Sequence, residues 1–106
     1  MKIVNIAPHP LNLVLNNGKT ITIEPCGTIP RNVEETVEYN IVDEIEINTI
    51  RKVNVINLPE PEEGTLYFTS RILAAQIPNR KDLVFPAEFI RDASGNIIGC
   101  KGLAHY

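Results

Sequence analysis

The chain of 106 residues has no tryptophan, one methionine, two cysteines and two histidines. Each scarcity closes off a class of protein. Two cysteines cannot form the multi-bridge framework of a small secreted domain, and they make no zinc pattern. Cys26 lies in a Pro-Cys-Gly turn and Cys100 at the end of an apolar run, so both read as free thiols suited to a reducing compartment. Histidine is too sparse for a metal centre. His9 sits between two prolines and reads as a turn residue, and His105 lies in the terminal segment, so no metal or other cofactor is expected. Basic residues are outnumbered, ten against thirteen acids for a net charge of −3, which argues against DNA or RNA as a partner. No apolar run approaches the ~18 residues of a membrane span, and no signal-peptide pattern opens the chain. The expectation is a cytoplasmic protein with no membrane partner. No carboxylate pair is accompanied by a nucleophile or base, so catalysis is not expected.

What remains is an ordinary globular composition, 43% hydrophobic and 22% charged, long enough for one core and one domain over 1–106. The expected fold class is α+β: an N-terminal antiparallel β-sheet, then a short helix and a C-terminal hairpin. The β-rich half covers 1–58 and the mixed half 64–103, joined by the connector Pro59-Glu60-Pro61-Glu62-Glu63-Gly64.

Within the first half, Lys2–Ala7 alternates polar and apolar residues as a half-buried strand does. Leu11–Leu15 and Thr20–Ile23 flank Asn16-Asn17-Gly18-Lys19, and Asn-Gly is the strongest short hairpin signal because both positions tolerate positive φ. Three antiparallel strands are expected there. Further strands are expected over Thr36–Ile41, Glu44–Ile47 and Val53–Leu58. Nine of the thirteen acids lie between Glu34 and Glu63. Their alternation reads as a solvated sheet face whose charges discourage edge pairing.

In the second half, Thr65–Thr69 has strand composition, and Ser70 can cap a two-turn helix over Arg71–Ile77 that Pro78 ends. Leu83–Phe85 reads as a short strand before Pro86. Ala93-Ser94-Gly95 turns a hairpin between Phe89–Asp92 and Asn96–Cys100. Five of the ten basic residues fall in Gly64–Leu103, beside aromatic and amide side chains. Arginine grips phosphate through paired charge-assisted bonds, asparagine offers a donor and an acceptor to a base edge, and aspartate accepts from ribose hydroxyls. Asn79, Arg80, Arg91 and Asp92 therefore suggest an anion site, with Phe68 or Tyr67 to stack on a base. The plainer reading pairs Arg80 with Asp82 and Arg91 with Asp92 as surface ion pairs worth under ~1 kcal/mol.

The phrases KIVNIAPHPLNLV, EPCGTIPR, INLPEPEEGTLYFTS, PNRKDLVFP and FIRDASGNIIGCKGL occur in that order over nearly the whole chain. Together they resemble the phage-encoded Thoeris anti-defence type 1 family. The resemblance implies a non-catalytic protein that sequesters cyclic nucleotide immune signals in the cytoplasm of the infected bacterium. Such signals are cyclic ADP-ribose isomers such as glycocyclic ADP-ribose and, in some members, cyclic oligonucleotides. It implies a homo-oligomer built from dimers into a hexamer, with ligand at subunit interfaces. Carried over by position, the stacking aromatic is Phe68, the base-reading asparagine is Asn79, and Arg91 and Asp92 contact phosphate and ribose. Arg31 and Arg51 are further phosphate candidates. The competing expectation is an oligomeric phage structural or protein-inhibitor module with no nucleotide ligand.

Overall fold

A computed structural model describes residues 1–51 and 54–106. Eight strands and one helix follow in chain order: β1 (Lys2–Asn5), β2 (Leu11–Val14), β3 (Thr20–Ile23), β4 (Arg31–Val42), β5 (Ile45–Ile56), β6 (Thr65–Phe68), α1 (Arg71–Gln76), β7 (Leu83–Arg91) and β8 (Ile97–Ala104). Six of the strands form one sheet in the order β1-β6-β7-β8-β2-β3, while β4 and β5 form a separate two-stranded sheet.

The expected α+β class is overturned. The chain is 54% strand and 6% helix, with two sheets, one of them nearly closed into a barrel. The six residues of α1 are too few to make a layer of their own, and they cover only part of one sheet face. Its start is the one foreseen: the Ser70 side chain accepts from the Leu73 amide at 3.2 Å.

Nor is the N-terminal sheet a three-stranded antiparallel unit. β2 and β3 pair antiparallel around the Asn-Gly turn, but β1 pairs parallel with β6 and β2 pairs parallel with β8. Strands from the two halves of the sequence are thus interleaved in one sheet. Alternation shows which way a strand faces, but it does not identify the partner. β7 also runs through Pro86. β6 accompanies it only at Leu83 and Val84, so the proline's missing N–H leaves no partner on that side unpaired.

The period-two pattern sorts the core into two layers. Inside the barrel, Leu11 and Leu13 meet Phe68, Val84 and Cys100, with Ile3, Ile23 and Leu103 packed around them. On the outer face Tyr67, Leu83 and Phe85 pack with Ile6, Ala74 and Ile77 under α1. Closure between β1 and β3 falls to Asn5, which is 1% exposed. Its side-chain amide donates to the carbonyls of His9 and Ile23, each at 2.9 Å, and its oxygen accepts from the Ala7 amide. The Asn5 carbonyl accepts from the Cys26 amide at 2.8 Å, beside a parallel bridge to Pro25.

β4 and β5 leave this body as a hairpin arm of two 12-residue strands. Its tip is a two-residue turn, Asp43-Glu44, with φ of 49° and 63° between the paired Val42 and Ile45. The radius of gyration is 17.5 Å, well above the ~13 Å of a compact chain this long. The arm accounts for the excess, since neither of its strands packs substantially on a barrel strand.

Candidate functional site

β7 and β8 pair antiparallel, and at their turn-proximal end the barrel is open. Phe89 pairs with Cys100 and Arg91 with Ile97, Ile98 being the extra residue of a bulge between those pairs. The result is an open concavity of about 170 Å³, with Phe68 at its floor, His9 and Pro10 on one rim, and Phe89, Ile97 and Ile98 on the other. The His9 ring meets Phe68 edge to face, with centroids 6.3 Å apart. Gly99 eases the approach of β8 to β2, where a Cβ would lie a tight 3.0 Å from the Asn12 carbonyl oxygen. The rim is unusually apolar for a surface: Phe89 is 53% exposed and Ile98 54%.

The six candidate residues fall in three places. Phe68 is buried and packs within the barrel core, so it can floor the concavity but cannot be sandwiched by a base on an open face. Arg91 ends β7 and Asp92 follows it, and neither lines the concavity, whose β7 wall is Pro86 and Phe89. Arg91 donates to the Gly95 carbonyl at 2.9 Å, and one Asp92 oxygen accepts from the amides of Ser94 and Asn96. Asp92 is thus a turn former with a second oxygen to spare, and the two side chains form no ion pair with each other. Asn79 is exposed in the turn after α1, beyond the opposite end of β7. The nine residues of β7 span up to about 26 Å, so one chain does not bring Asn79 to Arg91. Arg31 and Arg51 lie on the arm, where Arg51 donates to Glu35 at 2.6 Å.

Two rim residues lay outside that set. Phe89 precedes Arg91 by two positions on one strand, so both side chains share a face, and F-x-R spacing was the available signal. His9 read as a turn residue, which it is, yet its turn forms the lip of the concavity.

Arg80 has a structural role. Its guanidinium holds both Asp82 oxygens at 2.8 Å and donates to the Pro59 carbonyl at 3.0 Å, with side chains only 16% and 18% exposed. The hydrogen bonds from Arg80 hold the Asp82 carboxyl below the usual range, outweighing the opposing effect of burial. Cys100, at the concavity's inner wall, has its thiol pKa pushed up by burial. A thiol so placed is inert rather than nucleophilic. Among the described residues no three His, Cys, Asp or Glu side chains converge as a metal site. No helix among them is long and apolar enough to cross a membrane.

Compared with protein-family models, with curated proteins and with solved structures, the chain matches none.

Proposed function

We propose that this chain is a subunit of a non-catalytic, homo-oligomeric phage protein that binds and sequesters a cyclic nucleotide immune signal at the barrel mouth. The observation that carries the reading is the exposed Phe89 on the rim above the Phe68 floor, with Arg91 two residues further along the same strand, beyond the rim. An exposed ring and a guanidinium two residues apart offer stacking to a base and paired hydrogen bonds to a phosphate. The order of phrases resembling the Thoeris anti-defence type 1 family supports the same class of ligand, with cyclic ADP-ribose isomers first and cyclic oligonucleotides second.

A concavity of about 170 Å³ is smaller than the ~300–1,000 Å³ of ligand pockets that enclose their guests. A second subunit therefore supplies the remaining wall, and Asn79, Arg31 and Arg51 reach ligand only from a neighbouring copy. Sequestration works by mass action. The affinity must exceed that of the host receptor, on the order of nanomolar or −12 kcal/mol. The buried, neutral Cys100 thiol at the wall suits a site that holds its ligand unchanged.

Calorimetric titration with glycocyclic ADP-ribose and with cyclic oligoadenylates tests this. Expected are tight binding of at least one ligand, intact ligand recovered after heating, and at least tenfold weaker binding by Arg91→Ala and Phe89→Ala. Affinity within twofold in both variants would remove the mouth as the site, and a linearised product would make the protein an enzyme.

The arm favours a second reading, an oligomeric phage structural or protein-inhibitor module. Under that reading no cyclic nucleotide gives heat, and affinity capture from infected cells recovers a protein partner.

A further inference from the structure

We infer that the β4–β5 arm is an intersubunit arm, and that it packs on the barrel of a second copy of this chain. This rests on the oligomeric part of the reading above and not on its ligand.

Four observations lead there. First, a two-stranded hairpin is marginal in water unless something covers it, and eleven of the twelve residues of β4 are exposed. Second, the arm concentrates the apolar surface. Among the described residues, eight of the sixteen exposed large hydrophobics lie on it, including Tyr39 at 58%, Ile41 at 63% and Ile45 at 60%. The register puts them on both faces, since the Val42–Ile45 and Ile41–Glu46 pairs are adjacent and alternate sides. A solvated arm would carry apolar residues on neither face. Third, the area fits. Two 12-residue strands present roughly 400 Å² per face, so in a reciprocal exchange one arm face and the barrel patch under the other arm bury about the 800 Å² per partner of a stable interface.

Fourth, the charges identify the occupant. Residues 31–56 hold six acids against three bases, whereas the barrel segments 1–30 and 64–106 hold seven bases against four acids. The arm is therefore net acidic and the barrel net basic within one chain. Arm against arm sets like charge against like, while arm against barrel is attractive. The barrel also has apolar surface to offer clear of its mouth, at Ile72, 70% exposed, and Ile21, 38% exposed. Reciprocal exchange, each arm lying on the other barrel, closes with two-fold symmetry.

The test combines sedimentation with carbodiimide cross-linking on the full chain. Wild type is expected to sediment as a dimer or larger. Ile41→Lys and Ile45→Lys, one on each arm face, are each expected to weaken association by about tenfold or more. Retained far-UV circular dichroism and a Cys100 still slow to alkylate would show that the barrel stays folded. In a mixture of isotopically heavy and light protein, carboxylates of residues 43–46 should couple to Lys19, Lys81 or Lys101 of the other copy. A monomeric wild type, unchanged association in both lysine variants, or inter-chain links confined to arm and arm would each overturn the inference. Ligand titration is not read in this test, so a mouth that binds nothing and an arm that docks nowhere give separate results.

Discussion

The barrel and the arm are built from the same alternating β-branched strands, yet they solve the burial problem in opposite ways. In the barrel, Leu13 and Phe68 turn inward onto each other while Tyr67 and Leu83 turn outward under α1. β6 is thus covered on both faces, and it has hydrogen-bonded neighbours on both edges, β1 and β7. In the arm each strand has one partner and one free edge, and neither face is covered. Alternation therefore predicts a strand but not a core, because whether the apolar side is buried depends on what the topology sets against it. The difference also sets expectations for mutation. Changes in the barrel act on the stability of the single chain, and changes in the arm act on association.

The largest effect tests whether Phe68 is a core residue or a ligand platform. At 1% exposure, Phe68→Ala removes a whole ring from the packed interior and should cost about 3–5 kcal/mol. That corresponds to a melting temperature lower by on the order of 15 °C or more, measured by calorimetry without ligand. A loss below 1 kcal/mol would erase the contrast between a packed barrel and an unpacked arm. Next is the closure. Asn5→Leu is close in volume but strands the carbonyls of His9 and Ile23 and the amide of Ala7, at about 3 kcal/mol. The matching arm change, Ile41→Lys, should move the melting temperature of the monomer by little, since surface substitutions are usually within ~0.5 kcal/mol.

A smaller effect concerns the joint between the two regions. Arg80 and Asp82 together hold the Pro59 carbonyl, and the Tyr67 hydroxyl donates to the Glu60 carbonyl at 3.1 Å, so the connector leaving the arm is pinned to the barrel. The Asp82 carboxyl has a lowered pKa in the fold, so its contribution is present above the unfolded value of ~3.9 and is lost as pH falls through the folded value. Stability against urea should thus fall below about pH 4, and Asp82→Asn should flatten that part of the profile while costing about 1–2 kcal/mol at neutral pH. An unchanged acid limb in the variant would place the acid sensitivity elsewhere.

Local signals in the sequence were legible where local chemistry decides. The Asn-Gly turn, the Ser70 cap, the start of β6 and the Ser94-Gly95 hairpin all stand where composition put them. Partnering was not legible, because β1 with β6 and β2 with β8 join residues more than sixty apart and nothing local encodes the choice. The arm's acids were legible as solvated, but its apolar residues read as the inward side of a sheet that does not exist within one chain. The site was legible in part. Arg91 announced itself by its hairpin, while Phe89 was hidden by the attraction of the LYFTS phrase, whose phenylalanine the fold buries.

The smallest expected effect lies at the arm tip, where no turn signal joins the separate short strands expected over Thr36–Ile41, Glu44–Ile47 and Val53–Leu58. A two-residue hairpin turn with positive φ at both positions favours Asn-Gly, and here it is Asp43-Glu44. Aspartate tolerates that region through local hydrogen bonding. Glutamate at φ 63° has no such relief, and a side chain there costs about 1 kcal/mol. Glu44→Gly should therefore tighten the turn by up to ~1 kcal/mol, partly offset by the greater freedom glycine has in the unfolded chain. The gain should appear as slower hydrogen exchange at Val42 and Ile45 and not as a higher melting temperature, because opening the arm leaves the barrel intact. If instead the melting temperature rose with the exchange protection, arm and barrel would unfold as one cooperative unit, and the independence of the two regions would fail.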